Sequence, residues 1–355
     1  MLQLKFFPNE AWEEENSTKT VDTVNYTIKS TQKYRVISLF CGCGGFDLGV
    51  KGGFEVLNEY YEQNNFEIVW ANDFEPRACD TYRKNFGDHV VCDDIKNIDT
   101  DNLPEADIVI GGFPCQDFSI AGKRQGLKVE RGRLYLEMKR IIDAKKPIAF
   151  VAENVKNLIL LEEGIILNTI VGDFEESGYN VYCHLFHAAD YGVPQNRERV
   201  MIFGIRKDID KELFLPKPIL NETNWITAKE VIDDLWGKEN DPSILNHSQI
   251  SLAKFYPNKR TQGNLRIQGN KISPTIRAEH HGNIEGHYRV NNNNENDMKN
   301  WRRLSVRECA RIQTFPDNFE FKGAATYTYK QVGNAVPPVL AWHVARALYI
   351  LLEEK

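Results

Sequence analysis

Short apolar runs recur along the chain after residue 34, and each has the length of a buried strand. The runs are RVISLF (35–40), FEIVWAN (66–72), ADIVIGG (106–112), PIAFVAE (147–153) and RVMIFGI (199–205). Helix-length segments separate them. Strands that alternate with helices are typical of a parallel sheet with helices on both faces. The pattern therefore predicts an α/β fold built on a doubly wound, Rossmann-like parallel sheet.

The rest of the chain divides into further parts. Residues 1–32 combine an acidic cluster with little periodicity and are interpreted as an N-terminal extension without chemistry. The proline-containing stretch from Leu215 to Asn224 resembles a linker, and the sequence beyond it is richer in Asn, Gly, His and basic residues. We therefore expect a first domain at 33–222 and a smaller one at 223–327. Two prolines then precede an apolar stretch typical of a helix, so 328–355 is predicted to complete the first domain.

Size and composition indicate an ordinary globular protein. The 355 residues are 42% hydrophobic and 26% charged, and domains of roughly 150 residues are common. No apolar stretch approaches the roughly 20 residues that cross a bilayer, and the N-terminus does not resemble a signal peptide, so a cytoplasmic protein is expected. The seven cysteines include no C-x-x-C pair, which predicts reduced thiols and no metal site.

The distribution of charge changes this picture locally. The whole chain carries a formal charge of −6, but residues 251–311 hold twelve basic side chains and five acidic ones. Such an excess fits either a solvated basic face or a surface that faces nucleic acid, because Lys and Arg neutralise phosphates. Composition alone leaves both readings open.

A glycine-rich turn follows the first apolar run, and an acidic residue ends the second. The turn is CGCGG (41–45), where glycines would let a ligand approach backbone amides, although a tight turn explains them equally well. Asp73 stands where doubly wound folds place an acid that binds ribose hydroxyls. Asp94 follows a further candidate strand around Val90 and Val91, which would give it a similar role, or it is simply a solvated residue. Together these features indicate a nucleoside cofactor.

One cysteine is placed differently from the others. Cys115 follows Gly112 and Pro114 after the third apolar run, on a loop at the carboxyl edge of the predicted sheet. Glu153 and Asn154 end the next run at the same edge. Ligands bind at that edge in doubly wound folds. We therefore expect a nucleophile and an acid to face one pocket. Cys79, Cys92, Cys183 and Cys309 fit buried small hydrophobes instead.

These segments, in this order, resemble the bacterial DNA cytosine-5 methyltransferases. The resemblance covers nearly the whole chain after residue 34. The matching motifs are FCGCGG (40–45), GGFPCQDFS (111–119), ENV (153–155), QNRERV (195–200), RECARIQTFPD (307–317) and QVGNAVPP (331–338). The resemblance implies a Rossmann-like methyltransferase sheet, a target-recognition domain, and methyl transfer from S-adenosylmethionine to C5 of cytosine in DNA.

The resemblance also implies catalytic roles. Cytosine C5 is a poor nucleophile, so a thiolate must first add to C6, and Cys115 is the candidate. Glu153, in its protonated form, would contact N3 and the exocyclic amine. Arg199 would lie near the cytosine O2, with Arg197 ordering the site, and Asn154 belongs to the same set.

The cofactor site is implied in the same way. The turn would hold the methionine and ribose, Asp73 the ribose hydroxyls and Asp94 the adenine amino group, with an apolar side chain on either side of the adenine. The full set is Phe40, Gly42, Gly44, Asp73, Phe74, Asp94, Ile95, Gly112, Pro114, Leu134 and Asn334.

The chain departs from the family pattern at three places. Asp73 stands where Glu is usual, which shortens the reach to the ribose by one methylene. About eight extra residues separate Gly45 from the second strand, so an irregular first helix is expected. Cys92 and Asp93 occupy a place where glycine is common, which puts the backbone before Asp94 in doubt.

Specific recognition of double-stranded DNA is assigned to 223–327, because the target base must leave the duplex for this chemistry. Arginines there could read guanine edges and amides could read adenine or phosphate. The candidates are Arg266, Arg277, Arg289, Gln262, Gln268 and Asn283, while His280, His281 and His287 are interpreted as hydrogen-bonding residues and not metal ligands.

The resemblance further implies a bacterial monomer that acts as the modification partner of a separate restriction endonuclease. Three other functions are weighed against the main one. A tRNA cytosine methyltransferase would largely lack the basic segment, and a silent DNA-binding relative would lose Cys115 or Glu153. A nicotinamide oxidoreductase would share only the fold.

Overall fold

The computed structural model describes residues 19–114, 134–252, 264–281, 286–290 and 301–354. Its strands are β1 (Lys19–Val21), β2 (Tyr34–Leu39), β3 (Phe54–Val56), β4 (Glu59–Tyr61), β5 (Phe66–Asp73), β6 (Val90–Cys92), β7 (Ile108–Gly111), β8 (Ala149–Val155), β9 (Tyr179–His187), β10 (Glu198–Arg206), β11 (Phe214–Pro216), β12 (Asn264–Arg266), β13 (Gly286–Val290) and β14 (Trp301–Arg303). Its α-helices are α1 (Gly45–Lys51), α2 (Pro76–Phe86), α3 (Leu134–Lys145), α4 (Ile165–Glu176), α5 (Ala228–Ile232), α6 (Val306–Ile312), α7 (Ala325–Asn334) and α8 (Pro338–Glu353).

A seven-stranded sheet forms the centre of the molecule. Its strand order is β6-β5-β2-β7-β8-β10-β9. The chain leaves β2 toward β5 and β6, then crosses back to β7 on the other side, so the order reverses beside β2. In such sheets the loops at the carboxyl ends of the strands diverge at the reversal and leave a crevice for ligands. The doubly wound prediction is confirmed.

The prediction that every strand is parallel is wrong at β10. This strand pairs antiparallel with β8 and with β9, and Arg199 lies opposite Val155. Strand β9 was not predicted either, because YNVYCHLFH alternates between buried and partly exposed positions and is not a continuous apolar run. The antiparallel direction has a consequence for the site, since it brings the first residues of β10 to the carboxyl end of β8.

Side chains on the two faces of the sheet enter separate cores. In β8, Val151 packs with α1 and α8 on one face, whereas Phe150 and Ala152 pack with α3 and α4 on the other. This alternation follows from the two-residue period of a strand.

By length and composition, one helical span among the described residues, Ala325–Glu353, could cross a membrane, and 89% of its most apolar window is buried inside the protein.

The extra residues before the second strand do not disturb the first helix. Helix α1 ends at Lys51, and the insertion forms the hairpin of β3 and β4. Leu57 and Asn58 make its two-residue turn, with φ values of 55° and 62°. A turn that matches the twist of the flanking strands requires such positive values. The expectation of an irregular helix is therefore corrected to a regular helix followed by a hairpin.

The stretch after Phe214 begins as a strand and not as a linker. Its first residues form β11, which is buried and pairs in parallel with β1. The segment after β1 also packs on the domain, because the Thr23 hydroxyl lies 2.7 Å from Nδ1 of the buried His343 in α8. Residues 19–23 are therefore part of the packed structure.

An ion cluster organises part of the 223–327 region. The Glu308 carboxylate is fully buried and accepts hydrogen bonds from Arg289 at 2.6 Å and from Arg302 at 2.7 and 2.8 Å. Both guanidiniums also lie against the ring of Trp236, at 4.9 and 4.7 Å. Glu308 closes a capping box with Ser305 at the start of α6. The cluster fixes β13 and β14 to this helix.

We predict that His343 makes the fold sensitive to acid. Burial lowers the pKa of His343 to about 3 from an ordinary value of 6.5. The stability that this neutral imidazole contributes is complete above pH 6.5 and is lost as the pH falls, because the unfolded chain then binds a proton that the native state excludes. Replacing it in His343→Gln should reduce the slope of unfolding free energy between pH 6 and pH 4 by about 1.4 kcal/mol per pH unit.

Urea unfolding of both proteins at several pH values checks this prediction. The buried His184 remains in both, and burial lowers its pKa to about 4, so only the difference between the two slopes reports on His343. Parallel slopes would show that His343 is not the group responsible.

Candidate active site

Functional side chains predicted from the sequence meet at one edge of the sheet. The carboxyl ends of β2, β5, β7 and β8 lie at this edge, together with the first residues of the antiparallel β10. The edge therefore combines the glycine-rich turn, the loop that leads toward Cys115, and the ENV motif. Cys115 itself, and residues 116–133 after it, lie outside the described residues.

The glycine-rich turn has a backbone that few residue types adopt. Phe40 has a φ of 53° and Gly42 a φ of 54°. Left-handed backbone at a bulky residue such as Phe40 is costly and is found where surrounding structure imposes it, often at functional sites. A Cβ on Gly42 would have nothing within 4 Å. Gly42 therefore leaves its backbone open to a ligand.

Asp73 supports this turn from the neighbouring strand. One of its carboxylate oxygens accepts a hydrogen bond from the Gly42 amide at 2.8 Å, and the other accepts one from the Glu75 amide at 2.9 Å. Burial raises the pKa of Asp73, and these backbone donors act against that rise. Because each carboxylate oxygen accepts more than one hydrogen bond, Asp73 can hold the turn and still bind a hydroxyl group.

The remaining cofactor candidates differ in the surface they offer. Phe74 is 71% exposed, whereas Ile95 exposes only 3% of its surface and is packed in the core. Asp94 is exposed, and its carboxylate accepts a hydrogen bond from the Lys96 amide at 3.0 Å. Leu134, at the start of α3, is half-buried, and Asn334, at the end of α7, is exposed. Phe74 thus presents an exposed aromatic face at this end of the site, whereas Ile95 presents almost no surface.

Glu153 and Arg199 form an ion pair on the other side of the edge. Nε of Arg199 lies 2.8 Å from Oε1 of Glu153, and both residues are 8% exposed. Gly112 makes room for the carboxyl group, since a Cβ there would stand 3.0 Å from Oε2 of Glu153. The two side chains expected to contact cytosine are therefore adjacent, although β8 and β10 run in opposite directions.

Asn154 connects this pair to the loop that carries the cysteine. Its side-chain amide donates a hydrogen bond to the Phe113 carbonyl at 2.9 Å, and its side-chain oxygen accepts one from the Val155 amide at the same distance. Phe113 is buried and Pro114 is half-buried. Asn154 thus fixes the backbone immediately before Cys115 relative to Glu153.

Arg197 is a buried connection between distant parts of the chain. It is 1% exposed and donates to the carbonyls of Ile276 at 2.9 Å, Gly333 at 2.9 Å and Ala335 at 2.8 Å. A further contact at 3.4 Å reaches the side chain of Gln195. The planar guanidinium suits several fixed acceptors at once. Arg197 therefore joins the 223–327 region to the C-terminal end of α7.

Two buried glutamines that the sequence analysis did not single out extend this connection. Gln195 accepts from the Ile276 amide at 2.9 Å and donates to the side-chain oxygen of Gln313 at 2.6 Å. Gln313 in turn donates to the carbonyl of Ala335 at 2.7 Å. Both glutamines lie in matching motifs, but nothing in the sequence shows that their side chains pair. We call Gln195, Arg197 and Gln313 the buried clamp.

Gly333 lets the end of α7 lie directly against the backbone of Arg277 and Ala278. A Cβ at this position would lie 2.2 Å from the backbone carbon of Arg277 and 2.4 Å from the nitrogen of Ala278. Real Cβ atoms do not approach backbone so closely, so only glycine fits here. The Gly333-Asn334 motif thus has a packing role that its resemblance to a cofactor motif did not reveal.

The candidates for base recognition occupy unlike positions. Arg289 is buried and bound to Glu308 and to the Ile232 carbonyl, so the expectation that it reads a base is wrong. His287 is also buried, 3.1 Å from the Thr275 carbonyl. Arg277 and Gln268 are exposed, and Arg266 is half-buried. Gln262 and Asn283 lie outside the described residues, as do the side chains of His280 and His281.

Among described residues, no cluster of three or more His, Cys, Asp or Glu side chains could hold a metal ion.

Comparison with known proteins places this geometry in a family. The sequence profile of the C-5 cytosine-specific DNA methylases matches residues 34–349. The chain is 38% identical to the Type II methyltransferase M.NgoFVII of Neisseria gonorrhoeae over 93% of its own length and 90% of that protein. It is 37% identical to the Type II methyltransferase M.BspRI of Lysinibacillus sphaericus, over 94% and 85% of the two chains. The fold is similar to that of the S. pombe Dnmt2 methyltransferase, with a TM-score of 0.66 and 19% identity over 90% of this chain and 99% of that one. The chain therefore belongs to the C-5 cytosine-specific DNA methylase family.

Proposed function

We propose that this enzyme methylates C5 of a cytosine flipped out of double-stranded DNA, with Cys115 as the nucleophile. The observation that carries the proposal is the pair of Glu153 and Arg199 beside the backbone that leads into Cys115. Asn154 fixes that backbone through its bond to Phe113 at 2.9 Å. A base that enters this edge would meet a thiol, a carboxyl group and a guanidinium from three different segments.

The residues divide the work on the base. The Cys115 thiolate adds to C6, which makes C5 an enamine carbon able to attack an electrophile. Glu153 takes up a proton as the base arrives and donates it in a hydrogen bond to N3, and Arg199 turns from Glu153 toward O2. After transfer, loss of the C5 proton expels the thiolate from C6 and restores the aromatic ring. Atoms and charge balance, with one methyl group gained and one proton released.

The other half of the edge fits S-adenosylmethionine. Its sulfonium would supply the electrophilic methyl group. Gly42 leaves open space above its backbone, Asp73 retains acceptor capacity for ribose hydroxyls, and Phe74 offers an exposed aromatic face. Phe40, Gly44, Asp94, Ile95, Gly112, Pro114, Leu134 and Asn334 complete the proposed cofactor site.

The names of the relatives support a proposal for the biological setting. Several are bacterial and carry the name Type II methyltransferase. We infer a bacterial, cytoplasmic enzyme that acts as a monomer and protects host DNA from a separate cognate endonuclease. Sequence recognition is assigned to the domain at 223–327, which the catalytic domain at 33–222 and 328–355 flanks.

We predict that methylation depends on Cys115 and Glu153. Cys115→Ser should lose about a thousand-fold or more in rate, because a hydroxyl is a far weaker nucleophile than a thiolate. Glu153→Gln should lose about a hundred-fold or more, because an amide cannot transfer a proton. The measurement is incubation with labelled S-adenosylmethionine and mixed double-stranded DNA, followed by sequencing for 5-methylcytosine.

Cys183→Ser is the matched control, since Cys183 is buried within β9 and lies outside the proposed site. It should methylate the same short motif as wild type. Label on RNA in place of DNA would contradict the proposal, and so would full activity of Cys115→Ser. A second readout uses DNA with 5-fluorocytosine, in which fluorine blocks the final elimination. Wild type should then stay covalently bound through Cys115, as mass spectrometry of the adduct would show.

We predict that Asp73 governs cofactor affinity without affecting DNA. Asp73→Asn should weaken S-adenosylmethionine binding roughly ten- to a hundred-fold, because a neutral amide replaces a charged acceptor. Asp73→Glu keeps the charge and should bind within a few-fold of wild type. Isothermal titration calorimetry measures both, with DNA affinity as the control. If Asp73→Asn bound S-adenosylmethionine as tightly as wild type, Asp73 would not be part of the cofactor site.

A further inference from the structure

The backbone beside Arg277 is fixed to the wall of the active site. Asn196 donates to the Ser273 carbonyl at 2.8 Å, and Ile276 is held through both its amide and its carbonyl by the buried clamp. On the other side, the backbone of Arg277 packs directly against Gly333. The position from which the Arg277 side chain leaves the backbone is therefore set by the buried clamp and by Gly333.

The charges around this position favour an anion. Arg277 directly follows Ile276, whose carbonyl accepts a hydrogen bond from Arg197, two residues before Arg199. Burial lowers the pKa of Arg199 most, and the positive charge of Arg277 lowers it further, as expected for two guanidiniums near each other. Glu153 pairs with Arg199 at 2.8 Å, and Glu198 pairs with Lys156 at the same distance. Arg277 itself is exposed. A rigid backbone thus holds an exposed positive charge next to another at the mouth of the pocket.

We propose that Arg277 binds a backbone phosphate next to the flipped cytosine and positions that nucleotide over the pocket. This inference rests on the proposed function. When a base enters the site, its own sugar and phosphates stay at the surface of the protein, and Arg277 is an exposed residue next to the clamped Ile276. A guanidinium binds a phosphate through two parallel hydrogen bonds. Arg277 could also read a guanine edge, as expected from the sequence, but the attachment of its backbone to the clamp, two residues from Arg199 on β10, favours the backbone of the target nucleotide.

The test replaces single phosphates with uncharged methylphosphonates on both sides of the target cytosine, in a duplex that carries the motif found by sequencing. Binding is measured by fluorescence anisotropy at several salt concentrations. Wild type should lose about ten-fold in affinity at one flanking phosphate, as expected for a charge-assisted hydrogen bond. Arg277→Ala should lose the same ten-fold in affinity on the unmodified duplex. Replacing that flanking phosphate should then cause this variant no further loss of affinity. Its plot of log affinity against log salt should be shallower by about one.

Two further variants sharpen the result. Arg277→Lys keeps the charge and should regain part of the lost affinity. Lys207→Ala removes a positive charge just beyond the far end of β10, at the opposite edge of the sheet, and should bind like wild type at every phosphate.

Two results would overturn the inference. Arg277→Ala could bind like wild type, or it could methylate a motif relaxed at one base while keeping its sensitivity to every methylphosphonate, which would make Arg277 a reader of bases. Both leave wild-type methylation intact. Failure of the proposed function is distinct, because wild type itself would then produce no 5-methylcytosine.

Discussion

The site depends on one buried guanidinium that binds only backbone carbonyls and an amide. Arg197 reaches Ile276, Gly333 and Ala335 within 2.9 Å, and these residues belong to segments far apart in the chain. A buried carbonyl that loses its donor costs about 1–3 kcal/mol. Removing the guanidinium would impose this cost at Ile276 and Gly333, whereas the Ala335 carbonyl would keep its bond from Gln313. Arg197 touches neither the proposed base site nor the cofactor turn, yet it fixes the spacing between the segments that build them.

The direction of β10 explains why this arrangement is possible. An antiparallel strand presents its first residues at the edge where the parallel strands end, so Arg199 meets Glu153 and Arg197 meets the C-terminal end of α7. A parallel β10 would place both arginines at the opposite edge. The same strand thus supplies a side chain for chemistry and, two residues away, a side chain for assembly.

Much of the fold was predictable because apolar runs and glycine turns report local structure directly. The direction of β10 and the existence of β9 were not, since alternating burial at a sheet edge resembles surface sequence. The proximity of Glu153 and Asn154 to the cysteine loop followed from sheet topology, whereas the proximity of Arg199 followed only from the resemblance. The pairing of Gln195 with Gln313 and the burial of Arg289 did not, because both depend on contacts between residues roughly 20 to 120 positions apart.

Hydrogen–deuterium exchange of Arg197→Lys tests the role of the clamp most directly. A lysine ammonium lacks the planar fork and cannot serve the same acceptors together. The account predicts faster exchange in residues 195–197, 273–278 and 331–336 together, with β2 and β5 unchanged and with Arg199→Lys close to wild type in all three segments. Faster exchange confined to residues 195–197 would contradict it, because the other two segments would then be held in place without Arg197.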